Sequence, residues 1–393
     1  MKISNIVVGC FCLLITSCNQ NPSICKINTD GYIVDTITIN PAKFSDVLDT
    51  TQYAITELFS LETNRGIHIY NPVSVKRIDN RIYIMTDDHN GNRTIYVYND
   101  NGRFLHVLGN RGHAKNEYID SPTCFSFDYK NGNIHVYERS GNRILVFNKE
   151  GKFMHDVKFQ DGYPNSLCIT ESGNYVCAYD EGLNNTYDRL NLCDNQGRRI
   201  KSLMPIGKDE SFGMMDSFFD YNESYCYYHY PFADVVGVIH NNDIEKFYKL
   251  DFGGDFIPED LIEEAIMNKS FMPVHEKHHG VQGIERFEST EDLIHVAYSY
   301  DNWLYHYWYD KKTKKYFNNK GSFFMGIWPT FNYWIHDDQI VYLITDDDID
   351  NINKTIDTKQ GDGKKWYNFT HSKMRDVIDG KIKTPVFVSI QIK

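Results

Sequence analysis

Several signatures of chemistry are missing from this 393-residue chain. It has no G-x-S-x-G, no phosphate-binding P-loop, no dinucleotide fingerprint and no C-x-x-C pair. Nucleophile-elbow hydrolysis, nucleotide binding, zinc ribbons and thioredoxin-type redox chemistry therefore have no sequence support. Positive charge is also scarce: 41 Lys and Arg stand against 53 Asp and Glu, and the formal net charge is −12. That balance argues against nucleic acid and against an anionic membrane surface as partners. Beyond the first 17 residues no stretch approaches about 18 consecutive apolar residues, so no membrane-spanning helix is expected in the mature chain.

The N-terminus does carry a signal. Met1-Lys2 precedes an apolar run from Ile3 to Ile15, broken by Ser4 and Asn5, and Ile15-Thr16-Ser17-Cys18 follows. A basic start, a short apolar core and small residues before a cut describe a secretory signal. The Cys at the cut makes it look like a bacterial lipoprotein signal, with Cys18 lipidated. We expect residues 1–17 to be the signal peptide, 18–50 a polar tether and 51–393 one folded domain. Six cysteines remain after Cys18: Cys25, Cys124, Cys168, Cys177, Cys193 and Cys226. Pairing Thr170 with Tyr175 around the turn between them puts Cys168 opposite Cys177. An envelope location permits a disulfide there, and small buried hydrophobes are the competing reading.

The chain repeats itself. Thr94–Leu108 (TIYVYNDNGRFLHVL) returns in edited form as Arg143–Val157 (RILVFNKEGKFMHDV), with Ile95 and Ile144, Gly102 and Gly151, Phe104 and Phe153, and His106 and His155 matched at one offset of 49 residues. Each copy reads as strand, tight turn, strand. That period marks a repeat array or propeller, and aromatics at 15% suit a β-rich fold. Four strands per unit give blades from Val73, Pro122, Ser166, Met215 and Ile284, and a sixth begins at Thr330. The sixth lacks partners nearby, whereas Tyr53–Leu61 and Pro385–Ile392 are unassigned; joining the chain ends there would close the ring and remove sheet edges. The expected fold is thus all-β: a six-bladed propeller of four-stranded antiparallel blades closed by N- and C-terminal strands. Ile257–Asn268 reads as a short helix, and Asp346–Lys383 as a long polar excursion within blade six.

With its lipoprotein start, Leu61-Glu62-Thr63, the segment Gly109–Tyr118, the Asp251-Phe252-Gly253 … Ile257-Pro258 junction and the terminal Pro385–Lys393, the chain resembles the six-bladed β-propeller lipoproteins of Bacteroidota. These are similar in fold to TolB and NHL propellers. The likeness spans nearly the whole mature chain. Members commonly carry Gly-Pro-Gly-Glu-Tyr after blade one, of which Ala114-Lys115-Asn116-Glu117-Tyr118 keeps Glu and Tyr. Surface-directed lipoproteins of this group tend to have acidic residues after the lipidated Cys; here Asn19-Gln20-Asn21-Pro22 follows, which implies the periplasmic side of the outer membrane.

Four places could carry chemistry. Arg111, His113, Glu117 and Tyr118 concentrate polar groups between two regular blades and could bind a small anion or sugar. His275-Glu276-Lys277-His278-His279 satisfies H-E-x-x-H, in which His275 and His279 would bind zinc and Glu276 polarise water, provided the segment is helical. Asp346, Asp348 and Asp350 alternate as in an oxygen-rich calcium loop, without its glycine at position six. Trp303–Tyr309 alternates aromatics that could stack on sugars, although blades packed on both faces favour a core role. The functional expectation is a lipid-anchored envelope module that binds a ligand or protein in glycan or nutrient handling, with no cofactor. The alternative is a propeller hydrolase or lyase acting on glycan or peptide, either metal-free or dependent on zinc or calcium.

Overall fold

Each repeat unit becomes one antiparallel sheet. In the computed structural model six such sheets form a six-bladed propeller. In chain order, β1 (Ile33–Thr38) and β2 (Tyr53–Ser60) precede the first blade and join later ones. Blade one is β3 (Asn71–Ile78), β4 (Arg81–Asp87), β5 (Arg93–Asn99) and β6 (Phe104–Val107). A small parallel pair, β7 (Asn110–Arg111) and β8 (Glu117–Tyr118), lies in its exit connection. Blade two is β9 (Cys124–Asp128), β10 (Asn133–Glu138), β11 (Arg143–Phe147) and β12 (Phe153–Lys158). Blade three is β13 (Ser166–Ile169), β14 (Tyr175–Ala178), β15 (Asp188–Cys193) and β16 (Arg199–Pro205). Blade four is β17 (Phe218–Tyr221), β18 (Cys226–His229), β19 (Val235–His240) and β20 (Asp243–Asp251); α1 (Glu259–Asn268) follows it. Blade five is β21 (Val281–Ser289), β22 (Leu293–Tyr300), β23 (Trp303–Asp310) and β24 (Tyr316–Lys320). Blade six holds β25 (Tyr333–His336), β26 (Gln339–Ile344) and β27 (Val386–Ile392), with α2 (Asp346–Thr355) and α3 (Ser372–Ile378) between the last two. The structure describes residues 27–44, 53–63, 67–88, 90–179, 188–205, 218–221, 225–230, 232–268, 276–320, 333–336, 338–355, 361, 364, 367–368 and 370–392.

Closure is as the unassigned strands suggested. The order β2-β27-β26-β25 makes the N-terminal strand the outer member of blade six, with Tyr53 opposite Ile392 and Ser60 opposite Val386. Because every blade is sandwiched between two others, both faces of its middle strands are apolar. Tyr83, Ile95 and Val97 of blade one pack with Phe125, Val136 and Phe147 of blade two, and Tyr98 and Ile84 pack on the other side with Val341 and Phe387 of blade six.

The repeated hairpin fastens blade to blade. Its turn recurs as Asn99…Gly102-Arg103, Asn148…Gly151-Lys152 and Asp194…Gly197-Arg198, and in each the first side chain accepts backbone N–H groups two and four residues on. The three glycines have φ of +77°, +77° and +72°, and a register shift precedes each turn, the pattern of a glycine bulge. Each glycine also lies against the outer strand, or the residues just beyond it, of the preceding blade: Gly102 on Phe59 and Ser60, Gly151 on His106, Gly197 on Phe159. The carbonyls of Gly102 and Gly197 accept N–H bonds from Glu62 and Gln160, at 2.8 and 2.9 Å.

Antiparallel connectivity puts alternate connections at opposite ends of the ring. On one face, here the turn face, consecutive strands are joined by only two to five residues, from Asp79-Asn80 to Lys311–Lys315. The other, the loop face, carries β7 and β8, α1, and α2 with α3.

Two expectations need correction. The segment assigned to a tether is partly structured: β1 pairs in parallel with β20 as a fifth strand of blade four, Ile37 and Ile39 are buried, and the chain then crosses to blade five. There Asn318 Nδ2 donates to the carbonyls of Asn40 and Lys43 at 3.1 and 3.2 Å. The β-branched run Ile33-Val34-Asp35-Thr36-Ile37-Thr38 favours a strand, a signal that the surrounding polar residues obscured. The Cys168–Cys177 disulfide is also overturned. Cys168 bonds to Cys226 of blade four, and Cys177 is a buried free thiol. Thr170 pairs with Asn174 rather than Tyr175, donating its N–H to Asn174 O, so Cys168 pairs with Val176 and Cys177 with Leu167. A slip of one residue sends the two side chains to opposite faces of the sheet.

Candidate ligand-binding face

The connection leaving blade one is a rigid feature of the loop face. Gly112 N–H donates to Tyr118 O at 2.8 Å and Glu117 N–H to Ala114 O at 3.0 Å, while Glu117 Oε2 accepts from Ala114 N–H at 2.9 Å. Blade two clamps the same loop. Arg143 Nη1 and Nη2 donate to Lys115 O and Glu117 O at 3.1 and 2.5 Å, and its Nε lies 3.1 Å from Oε2 of Glu138, whose side chain is wholly buried. Glu138 also accepts from Gly141 N–H at 2.9 Å.

The four residues singled out here have different fates. Tyr118 is core: its ring packs beside Gly109 and Phe147, and its hydroxyl donates to Leu108 O at 2.8 Å. Burial raises its pKa far above the phenol range, so it acts as a neutral donor. The Glu117 carboxylate caps the loop's own backbone. His113 is exposed. Arg111 faces a cleft, with Nη1 donating to Asn92 Oδ1 at 3.0 Å and Nη2 3.3 Å from Asp120.

That cleft of about 160 Å³ is lined by Asn92, Arg93, Val107, Arg111, Tyr118 and Asp120 among others. Arg93 holds its wall, donating to Thr123 O at 2.7 Å. Sequence reasoning missed Asn92, Arg93 and Asp120. Asn92 and Arg93 belong to the neighbouring hairpin of blade one, and only antiparallel topology brings that turn beside the exit loop. The volume is below the roughly 300–1,000 Å³ of sites that engulf a small molecule, so the cleft suits one projecting group of a larger partner.

The other candidates are placed apart. His275 lies outside the described residues. Glu276 and His279 are exposed, helical backbone ends at Lys277, and His279 Nδ1 lies 2.9 Å from Asp301 Oδ1. The one-turn His spacing of H-E-x-x-H is therefore not set by a helix running through His279. The acidic run is α2 rather than a coordinating loop: Asp348, buried, accepts from Thr345 N–H and Oγ1 at 2.8 Å each, the geometry of a helix cap. Asp346, Asp348 and Asp350 consequently project at helical intervals instead of converging. Among the described residues no three His, Cys, Asp or Glu side chains gather as a metal site requires. In the aromatic strand Tyr305, His306, Tyr307 and Trp308 are all buried, which makes both faces core.

A polar group that no spacing announced lies in the seam of blades five and six. His295 is 3.4 Å from Glu288 Oε2 and 3.1 Å from His306 Nδ1, with its ring stacked 3.8 Å from Trp308. Glu288 Oε1 accepts from Ile335 N–H at 3.2 Å. Burial raises the Glu288 pKa and lowers both histidines, so neutral forms are favoured and the group joins the blades.

Residues 20–376 match the family model described as a domain of unknown function, DUF4934. The chain belongs to the DUF4934 family. Among solved structures, this DUF4934 chain is similar to a Bacteroides fragilis protein described as exported, at 16% identity and a TM-score of 0.72, covering 92% of this chain and 99% of that one. It is also similar to a DUF4221 family member from Bacteroides vulgatus, at 9% identity and a TM-score of 0.53, over 87% and 98% of the two chains. At these identities the likeness establishes the propeller fold. No curated protein matches the chain. Among the described residues no helix is long and apolar enough to cross a membrane.

Proposed function

We propose that the protein is a lipid-anchored propeller of the cell envelope that binds a ligand or protein partner through its loop face. The carrying observation is the asymmetry of the ring: tight turns join the strands at one end, while, among the described residues, the helices α1, α2 and α3 and the clamped exit loop gather at the other. Loops held on a rigid scaffold are where recognition concentrates. Arg111 and Asp120, over half exposed, offer both charges beside a cleft of a size for one side chain or sugar residue.

The location reading is supported by the Cys18 signal, by the similar exported protein and by the Cys168–Cys226 bond, since disulfides persist in oxidising compartments. Asn19-Gln20-Asn21-Pro22 supports the periplasmic side of the outer membrane. Glycans and extended peptides are the ligands that fit a shallow cleft of mixed polar and apolar lining. The test is a photo-crosslinker placed at His113 on the loop face or at Lys149 on the turn face, in intact envelopes, together with binding to a panel of glycan fragments and peptides. Adducts specific to position 113, lost with Arg111→Glu, are expected. Equal labelling at both positions refutes the reading, and turnover of a panel member would move the assignment to an enzyme.

A further inference from the structure

We propose that the open outer edge of blade one takes up an extended segment of a partner protein as a fifth strand, parallel to β6 and ending in the Arg111 cleft. The chain already contains this arrangement once. At blade four, β1 lies parallel to the outer strand β20 over six residues, from Ile33 opposite Lys246 to Thr38 opposite Asp251. At blade one the sheet ends at β6, and among the described residues no strand lies beyond it. Leu105 and Val107 of β6 are 41% and 36% exposed.

The two outer strands correspond residue for residue. Each carries one register shift against its inner neighbour, next to which Val97 meets His106 in blade one and Val238 meets Lys246 in blade four. Counted from there, Val107 corresponds to Phe247, which faces Val34 of β1. The backbone phase agrees. Leu108 donates its N–H inward to Ile95 O at 2.9 Å, and Leu250 donates inward to Asp234 O at 2.7 Å. Backbone groups alternate sides along an antiparallel strand, so the N–H and C=O of Val107, like those of Phe247, point outward. They are the pair that an added strand engages, beside the exposed Leu105 and Val107 side chains. The hairpin turn of blade two rests on the His106 ring, which projects from the sheet face and not along its edge.

Direction follows from the same correspondence. The cleft begins where β6 ends, with Val107, Leu108, Gly109, Asn110 and Arg111 in its lining. Thr38, the last residue of β1, faces Asp251, whose counterpart in blade one is Arg111. A segment laid down as β1 is therefore carries its C-terminal end to the cleft. Arg111 and Asp120 lie 3.3 Å apart and balance each other, so charge does not choose the segment. Main-chain hydrogen bonds and β-branched or aliphatic side chains against Leu105 and Val107 do. Strands β12 and β16 are outermost as well; the adjoining cleft is what favours β6 over them. The inference rests on the loop-face reading above and narrows its ligand to an extended peptide.

The probe is a fluorescein-labelled peptide with the sequence Tyr32–Ile39, titrated by anisotropy onto the chain from position 18 with Cys18→Ser. In β1 the Ile39 N–H donates to Asp251 O at 2.8 Å, so the amides of Ile33, Asp35 and Ile37 face the partner strand. Binding is expected, and N-methylation of those three amides should weaken it about tenfold or more, whereas N-methylation of Val34, Thr36 and Thr38 should not. Val107→Pro, which removes the outward N–H, should weaken it as much, and Val107→Thr should bind like the parent. A urea melt checks that Val107→Pro folds, and the two methylated peptides test edge pairing without any variant. A benzophenone on the peptide's C-terminal residue should crosslink to the exit loop, and one on its N-terminal residue to the turn between β5 and β6. Absence of binding, equal binding by both methylated peptides or by folded Val107→Pro, reversed crosslinks, or crosslinks confined to another blade overturns the proposal. Glycan binding lost with Arg111→Glu, without peptide binding, sinks this inference and leaves the loop-face reading standing. Edge binding of the peptide, with equal envelope labelling from positions 113 and 149, does the reverse.

Discussion

Gly102→Ala tests how the ring is fastened. Gly102 and Gly173 both sit in turn-face hairpins with nearly the same positive φ, +77° and +79°, so an added Cβ strains both backbones by roughly 1–2 kcal/mol. Their surroundings differ. At Gly173 the new atom meets nothing within 4 Å, whereas at Gly102 it would overlap the backbone carbonyl of Ser60 and come within 2.8 Å of the Phe59 ring. A backbone oxygen cannot rotate aside, so the blade one to blade six contact must open, at a further cost of about 1–3 kcal/mol by analogy with overpacked cores. The Glu62 N–H bond to Gly102 O would be disturbed with it. Urea unfolding at constant slope is the assay. We expect Gly102→Ala to lower the midpoint two- to threefold more than Gly173→Ala. Equal shifts would show that turn conformation alone, and not inter-blade approach, fixes glycine in the repeat.

Other outcomes follow from the same geometry. Non-reducing peptide mapping should recover Cys168 linked to Cys226, and replacing both by Ala should cost about 4 kcal/mol for a separation of 58 residues; a Cys168–Cys177 peptide would refute the observed register. Arg143→Met strands the buried Glu138 carboxylate and should cost about 3–5 kcal/mol, with much of that regained in Glu138→Gln/Arg143→Met; proteolysis at Lys115 should rise in both, because the loop clamp is gone. His135, half-buried and 2.9 Å from the Tyr175 hydroxyl, is pulled by desolvation from 6.5 to about 4. The unfolded chain therefore takes up a proton near pH 6.5 that the folded chain resists until about pH 4. Stability present above that window falls as pH drops through it, by up to about 1.4 kcal/mol per pH unit. His135→Gln should flatten that slope in pH-dependent urea melts, and an unchanged slope would contradict a desolvated neutral imidazole.

Legibility followed the range of the interactions. Blade hairpins were readable because turn chemistry is local: Asn99, Asn148 and Asp194 cap their own turns, and Gly102, Gly151 and Gly197 need positive φ whatever surrounds them. Closure by Tyr53–Ser60 and Val386–Ile392 was readable because unpaired strands demand partners. The Cys168 pairing was not, since a register shift of one residue turns a thiol to the other face. Nor was the fate of Asp348, whose carboxylate alternation resembles a cation loop until Thr345 shows it to be a helix cap.

The exit loop of blade one was rightly marked as polar, yet its residues divided by burial: Tyr118 went to the core, Glu117 to the backbone, and Arg111 to a cleft completed by Asn92 and Asp120. The sequence by itself determined a repeating antiparallel blade, its number and its closure, because period, strand pattern and turn residues act over a few positions. Only the tertiary structure decided which polar groups face solvent and which cysteines bond. Those depend on contacts between chain segments tens to hundreds of residues apart, which no local spacing encodes.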